Sequence, residues 1–314
     1  MGGLAVYFAF LLTLFGSIIF LSPADTPKIL AVIFGGTIMA LLGLADDLFF
    51  LKPGLKFLVQ FIAAACLIIF GVHIKFIFNP GLDWVVTLFW VVGVTNALNL
   101  IDIMDGLAGG VTVLAALAFV FVPLGGEPNY VNLVAAALAG STLGFLPFNY
   151  QPAKIYLGDS GALFIGFVLA SVAMGESYTQ TNVVSLAAPI LILGVPIYDT
   201  ILVMFLRFLK GKSMFQGSHD HLALRLRFLG MTVKQVVHSL WGLTALCCAA
   251  AYFLIRLSEK RAFIFLLAFF FAATLWTLFV SLIPIDGPSS SGWMAGPKSN
   301  PKKKTPKSST KSKR

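Results

Sequence analysis

The chain has 314 residues, 58% of them hydrophobic and 11% charged, with a mean hydropathy of +0.92. That balance excludes a soluble globular domain and identifies a polytopic membrane protein. The net charge of +9 belongs to the tail: eight of the 22 basic residues lie between Lys298 and Arg314, which leaves 14 basic against 13 acidic residues before them.

Residues 4–22 form the first uncharged apolar run, long enough to cross a bilayer at about 20 residues per crossing. The start Met1-Gly2-Gly3 has no basic n-region, which argues against a signal peptide, and lacks the Ser or Thr of a myristoylation motif. Further candidate spans are 29–45, 57–72, 84–101, 106–124, 130–148, 162–178, 183–206, 235–255 and 262–284. Each is expected to be a helix, because lipid cannot satisfy an open backbone. The expected fold is therefore all-α, with about ten transmembrane helices in one domain (1–284) and a cleft at the cytoplasmic face. Cys66, Cys247 and Cys248 fall inside apolar runs and read as buried thiols.

Lys and Arg sort the loops into two sides. One side carries Lys52, Lys56, Lys154, Arg207, Lys210, Lys212, Arg225, Arg227, Lys234 and the basic tail; the other carries Lys28, Lys75, Arg256, Lys260 and Arg261. The first side is expected to be cytoplasmic, together with both termini. Asp46, Asp47, Asp102, Asp105, Asp159, Asp199 and Asp220 gather on that same side, so a shared polar cavity is expected there.

Taken in order, the polar motifs begin with Asp46-Asp47, just after a span. Adjacent carboxylates repel unless a cation intervenes, and Lys56, nine residues on, faces the same mouth. In the stretch Asn96 to Gly110, Asn96, Asn99, Asp102 and Asp105 recur every three residues, which on a helix makes one stripe of touching side chains. Gly106, Gly109 and Gly110 then let the backbone turn or pack closely. Lys154 to Gly161 reads K-I-Y-L-G-D-S-G, with Asp159 on an open turn between glycines and Ser160 as the expected cap of the next helix. A carboxylate beside a helix N-terminus suits a cation and a phosphate together. Asp199, in P-I-Y-D-T inside a span, is expected to organise the cavity through a basic neighbour. The loop 207–234, with His219, His221, Arg225 and Arg227, offers donors to an anion and has too few ligands for zinc. Residues 285–314, rich in Ser, Pro, Gly and Lys, are expected to be a disordered basic tail that can lie on anionic headgroups.

Four of these motifs, in order and on one face, resemble the polyprenyl-phosphate N-acetylhexosamine-1-phosphate transferase family: Asp46-Asp47 with Lys56, Asn96 to Gly110, Gly158-Asp159-Ser160-Gly161, and Pro196-x-x-Asp199 with the His/Arg loop. The resemblance runs over nearly the whole chain to about Pro284. It implies transfer of N-acetylhexosamine-1-phosphate from a UDP-sugar to undecaprenyl phosphate with release of UMP, the first lipid-linked step of a cell-envelope polysaccharide, in the plasma membrane of a bacterium. It implies Mg²⁺, with Mn²⁺ as an alternative, on Asn99 and Asp159. Asp46 and Asp47 match the acidic pair near the metal and the lipid phosphate, and Lys56 the phosphate-binding lysine. Asp102 and Asp105 match the acidic motif near the nucleotide, and His221, with Arg225 beside it, the histidine-rich loop; Asn96 and Asp199 are supporting residues. No nucleic-acid partner is implied, and a homodimer is compatible.

Three departures stand out. Asp102-Ile103-Met104-Asp105 replaces a glycine-containing motif, so the backbone there is expected to be helical. Ala223 and Leu224 stand where many members have histidines, which favours UDP-N-acetylglucosamine over the muramyl-pentapeptide donor. The family usually has eleven spans, and Met1-Gly2-Gly3-Leu4 resembles the end of a loop that follows a first one. The competing expectations are a cation-coupled transporter, which would place acids near mid-span and repeat its half-structure, and an inactive family member acting as a scaffold.

Overall fold

The computed structural model describes residues 2–17, 25–75, 79–121, 130–175, 183–209, 211 and 220–283. These form an all-helical polytopic membrane protein. The basic tail and His219 lie outside the described residues.

The apolar runs become α1 (Gly2–Ser17), α2 (Thr26–Phe49), α3 (Pro53–Ile69), α4 (Pro80–Ile101), α5 (Leu107–Phe121), α6 (Tyr130–Asn149) and α7 (Gly158–Val172). After a short 3-10 turn come α8 (Ala188–Ile192), α9 (Gly194–Leu209), α10 (Leu222–Phe228), α11 (Val233–Arg256) and α12 (Glu259–Ser281). Five helices (α2, α4, α6, α11 and α12) are long and apolar enough to cross a bilayer by themselves. The expected span at 183–206 is broken: its two halves meet at Leu193 with a bend of 77°. The shorter apolar helices α1, α3, α5 and α7 account for the remaining expected segments.

The bundle is built around α7. Every residue from Ser160 to Val172 is buried, as befits a helix that is apolar on all sides. It packs against α1, α2 and α4 and more lightly against α5 and α6. Small residues let these helices approach, as expected where lipid gives no hydrophobic drive to association. A Cβ on Gly3 would sit 2.2 Å from the Gly161 nitrogen, and one on Gly43 would sit 2.3 Å from the Asp159 carbonyl oxygen. At the other extreme, α12 buries only Ala262 and Val280, leaving a phenylalanine-rich surface that suits lipid.

Two tight connections bring the polar residues to one end of α7. Phe50 ends α2 in the left-handed region (φ 51°), and Pro53 starts α3 three residues later. This places Asp46, in the last turn of α2, opposite Lys56, in the first turn of α3. Past α4, Asp102 and Ile103 are irregular, Asp105 and Gly106 lie in a turn, and Gly106 has φ 79°.

Because the Gly43 contact is backbone on backbone, the α2–α7 seam cannot relax by a rotamer change. Gly43→Ala is expected to cost about 1–3 kcal/mol by overpacking. A lowered thermal midpoint in detergent, followed by tryptophan fluorescence, checks this; an unchanged midpoint would mean the seam is looser than described.

Candidate active site

The centre of the site is one ammonium between two carboxylates. Lys56 Nζ pairs with Asp46 Oδ2 and lies 3.2 Å from Asp159 Oδ2. Asp46 Oδ1 also accepts the Leu51 N–H at 2.8 Å, so the α2–α3 connection itself holds that carboxylate in place. Asn99, in the last turn of α4, donates from Nδ2 to Asp159 Oδ1 at 3.0 Å. Helices far apart in sequence thus converge on Asp159.

Asp47 points the other way around α2. Its Oδ1 accepts the Asp159 N–H at 2.9 Å and its Oδ2 the Ser160 N–H at 3.2 Å. The expectation that Ser160 caps α7 is therefore corrected. Ser160 lies inside the helix, fully buried, with no hydrogen-bond partner for its hydroxyl among the described residues, because the helix already begins at Gly158.

The stripe from Asn96 to Asp105 is also corrected. Only Asn96 and Asn99 ride on α4. The Asp102 N–H bonds to the Asn99 carbonyl and that of Ile103 to the Ile101 carbonyl, which winds the helix down, and Gly106 then reverses the chain. Asp102 and Asp105 sit in this turn and not on a continued helix. Asp105 Oδ2 accepts the Ala153 N–H at 2.9 Å, tying the turn to the segment that leads into α7. Asn96 is held by Gln60, its Nδ2 donating to Gln60 Oε1 at 2.6 Å, a contact that joins α3 to α4.

Asp102 lies outside the membrane-spanning helices and is partly buried. Burial, and then the Asp159, Asp105 and Asp47 carboxylates, raise its carboxyl to about 7. The proton that Asp102 thus retains further up the pH scale than a free carboxyl relieves the crowding of like charges.

The histidine–arginine region is held by its own set of contacts. His221 Nδ1 lies 2.7 Å from Asp199 Oδ2, and the Leu222 N–H donates to Asp199 Oδ1 at 2.6 Å. The basic neighbour of Asp199 is therefore His221, and the carboxylate also holds the start of α10. Arg225 was expected to offer its guanidinium to an anion; here it is engaged by protein acceptors. It is 2% exposed, and it donates to the carbonyls of Asp220, Val280 and Ile283 and to Asp220 Oδ1, which ties α10 to the end of α12. A buried guanidinium takes the nearest acceptors available.

Two contributors escape a reading of motifs. Gln60, 1% exposed, is the amide that pairs with Asn96; its signal was a lone amide four residues after Lys56 in an otherwise apolar run. Asn149, 2% exposed, accepts the Gly106 N–H at 3.0 Å and donates to the Ile155 carbonyl at 3.0 Å. It locks the acidic turn to the segment before α7, and only its place at the end of a span could have pointed to it.

Among the described residues, no group of three or more His, Cys, Asp or Glu side chains forms a metal-ligand set. Mg²⁺, however, commonly takes one or two carboxylates and completes its shell with water and substrate phosphate. Asp159 and Asn99, in contact through their side chains, are hard oxygen donors of the kind this requires, so the residues fit such an ion.

Residues 29–176 match the profile of glycosyl transferase family 4. The chain is 33% identical, over 76% of its length and 68% of the relative's, to a Bacillus subtilis protein named "Probable undecaprenyl-phosphate N-acetylglucosaminyl 1-phosphate transferase". The chain belongs to this family. It is also 32% identical, over 81% of its length and 73% of the relative's, to the Mycobacterium leprae decaprenyl-phosphate N-acetylglucosaminephosphotransferase. A phospho-N-acetylmuramoyl-pentapeptide-transferase from Limosilactobacillus fermentum is 40% identical over a shorter stretch, 39% of this chain and 40% of its own. For the family member in hand, the matched region spans Asp46 to Asp159 and so contains the whole Lys56 network.

An acid that folds with its pKa raised to about 7 binds its proton more tightly in the folded chain than in the unfolded one, where it titrates near 4. Its contribution to stability falls as pH rises from about 4 to about 7, and the penalty is fully present above that. Asp102→Asn, which cannot ionise, is therefore expected to raise the thermal midpoint of the chelator-treated protein at pH 8, with a smaller gain at pH 5. Melting curves in EDTA at the two pH values check this; an equal gain at both would refute the raised pKa.

Proposed function

We propose that this protein transfers N-acetylhexosamine-1-phosphate from a UDP-sugar to a polyprenyl phosphate, releasing UMP. The observation that carries the reading is the convergence of Asp46 and Asp159 on Lys56 with Asn99 alongside: one cation and several hard oxygen donors at the end of an apolar bundle. The printed names of the relatives support the substrate classes, a polyprenyl phosphate and an N-acetylglucosamine phosphate donor. The replacement of histidines by Ala223 and Leu224 further supports UDP-N-acetylglucosamine as the donor.

The acceptor phosphate is mostly dianionic at neutral pH, with a second pKa near 6, so strong base catalysis is not required. The harder task is to bring two anions together and to stabilise charge on the transferring phosphoryl group. Lys56 binds phosphate as a point charge already desolvated by its surroundings. Asp46 keeps that ammonium protonated and aimed, and meets the acceptor phosphate beside it. Asn99 and Asp159 hold Mg²⁺, with Mn²⁺ as an alternative, which when bound supplies charge neutralisation to the phosphates. Asp102 and Asp105, on the turn after α4, face the nucleotide side, and His221 lends a donor oriented by Asp199. Direct attack by the acceptor fits better than an aspartyl intermediate, since a carboxylate nucleophile would add a step the dianion does not need.

The excess of Lys and Arg on the loops next to the site supports a cytoplasmic active site and cytoplasmic termini in a bacterial plasma membrane. The lysines between 298 and 313 support contact with anionic headgroups.

Purified protein given UDP-N-acetylglucosamine, undecaprenyl phosphate and Mg²⁺ is expected to release UMP, and Asp159→Ala to abolish that release. Wild-type turnover with unchanged Mg²⁺ dependence in the variant would remove Asp159 from the metal. No UMP from any UDP-sugar would sink the transfer reading.

A further inference from the structure

Adjacent residues on a helix point about 100° apart, so the two acids of the Asp46-Asp47 pair cannot both face one ligand squarely. Asp46 is engaged with Lys56 and the Leu51 N–H. Asp47 reaches across to α7, where its two oxygens accept the N–H groups of Asp159 and Ser160 at 2.9 and 3.2 Å. Gly158 shapes this contact from the other side. Its φ is 71°, and a Cβ there would lie 2.8 Å from Asp47 Oδ2, so a larger residue would be both strained and in the way. The residue before it, Leu157, contributes no side-chain cap. The first N–H groups of a helix have no partner within it, and a carboxylate at that positive end makes a strong cap.

We propose that Asp47 is a positioning residue for the transfer reaction. By capping α7 it sets the position of the Asp159 carboxylate against Asn99 and Lys56, while Asp46 is the acid of the pair that meets the reacting phosphates. The role in transfer rests on the function proposed above; the cap itself does not.

The test uses the full chain in detergent or nanodiscs with three variants: Asp47→Ala, Asp47→Asn and Gly158→Ala. Two quantities are read, the hydrogen–deuterium exchange of the peptide holding the Asp159 and Ser160 amides, and the steady-state release of UMP. Asp47→Ala is expected to expose those amides to exchange and to lower kcat on the order of 100-fold, the cost of about 1 Å of misplacement, with KM for the UDP-sugar little changed. Asp47→Asn keeps an acceptor oxygen but can neither take up a proton nor carry charge. It is expected to recover most of the protection and to return turnover to within about tenfold of wild type, the weight of roughly one hydrogen bond, with an unshifted pH–rate profile. Gly158→Ala removes no carboxylate and is expected to reproduce the Asp47→Ala lesion in both readouts.

Asp47→Asn as inactive as Asp47→Ala while the amides stay protected would overturn the proposal and place Asp47 among the groups that act on substrate. Unchanged exchange in Asp47→Ala would overturn it as well. If Asp47→Ala does not fold, exchange in Asp47→Asn and Gly158→Ala decides. If the wild-type protein releases no UMP from any UDP-sugar, the transfer reading fails by itself, and the exchange data still judge the cap.

Discussion

The site depends on how the first turn of α7 is capped. The first N–H groups of α7 have no partner inside the helix, and Asp47 supplies two acceptors, one for Asp159 and one for Ser160. Meeting this requirement brings the end of α2 against the start of α7. That approach is possible only because Gly43 and Gly158 leave room for it. The same approach delivers Asp46 to Asp159, and Lys56 stands between them. A requirement of backbone hydrogen bonding in an apolar bundle thereby assembles an electrostatic site.

The charge arrangement follows from that assembly. Asp46, Asp102 and Asp159 are crowded into one mouth with Lys56 as the cation between two of them. The strain of like charge is met by pairing at Asp46 and Asp159 and by a raised pKa at Asp102. A site in this condition gains from any further cation or from the neutralisation that protonation provides. On the function proposed above, a divalent ion together with a phosphate would meet that need. The Asp199–His221 pair and the Arg225 clamp are built differently, from buried partners whose bonds join α9, α10 and α12.

Several features were open to reading in the linear chain. The apolar runs became helices because bilayer and bundle interiors leave the backbone no alternative. Asp46 and Lys56 could be paired because a short Pro-started connection between two helices keeps its flanks together. Asn99 beside Asp159 came through the family resemblance, not through spacing. The regular three-residue step of Asn96, Asn99, Asp102 and Asp105 misled, since α4 ends at Ile101 and the period continues by coincidence through the turn that Gly106 closes. Arg225 looked like an anion donor, but the burial that commits its guanidinium to backbone carbonyls is set by α12, more than fifty residues away.

The class of molecule and the helical segments were set by hydropathy, residue type and local spacing, which are properties of the chain. Tertiary structure alone decided how labour divides within each motif: Asp46 toward Lys56 and Asp47 toward α7, Asn96 toward Gln60 and Asn99 toward Asp159. The reason is directional. Neighbouring side chains on a helix diverge by about 100°, and what each one meets depends on helices that only folding brings alongside.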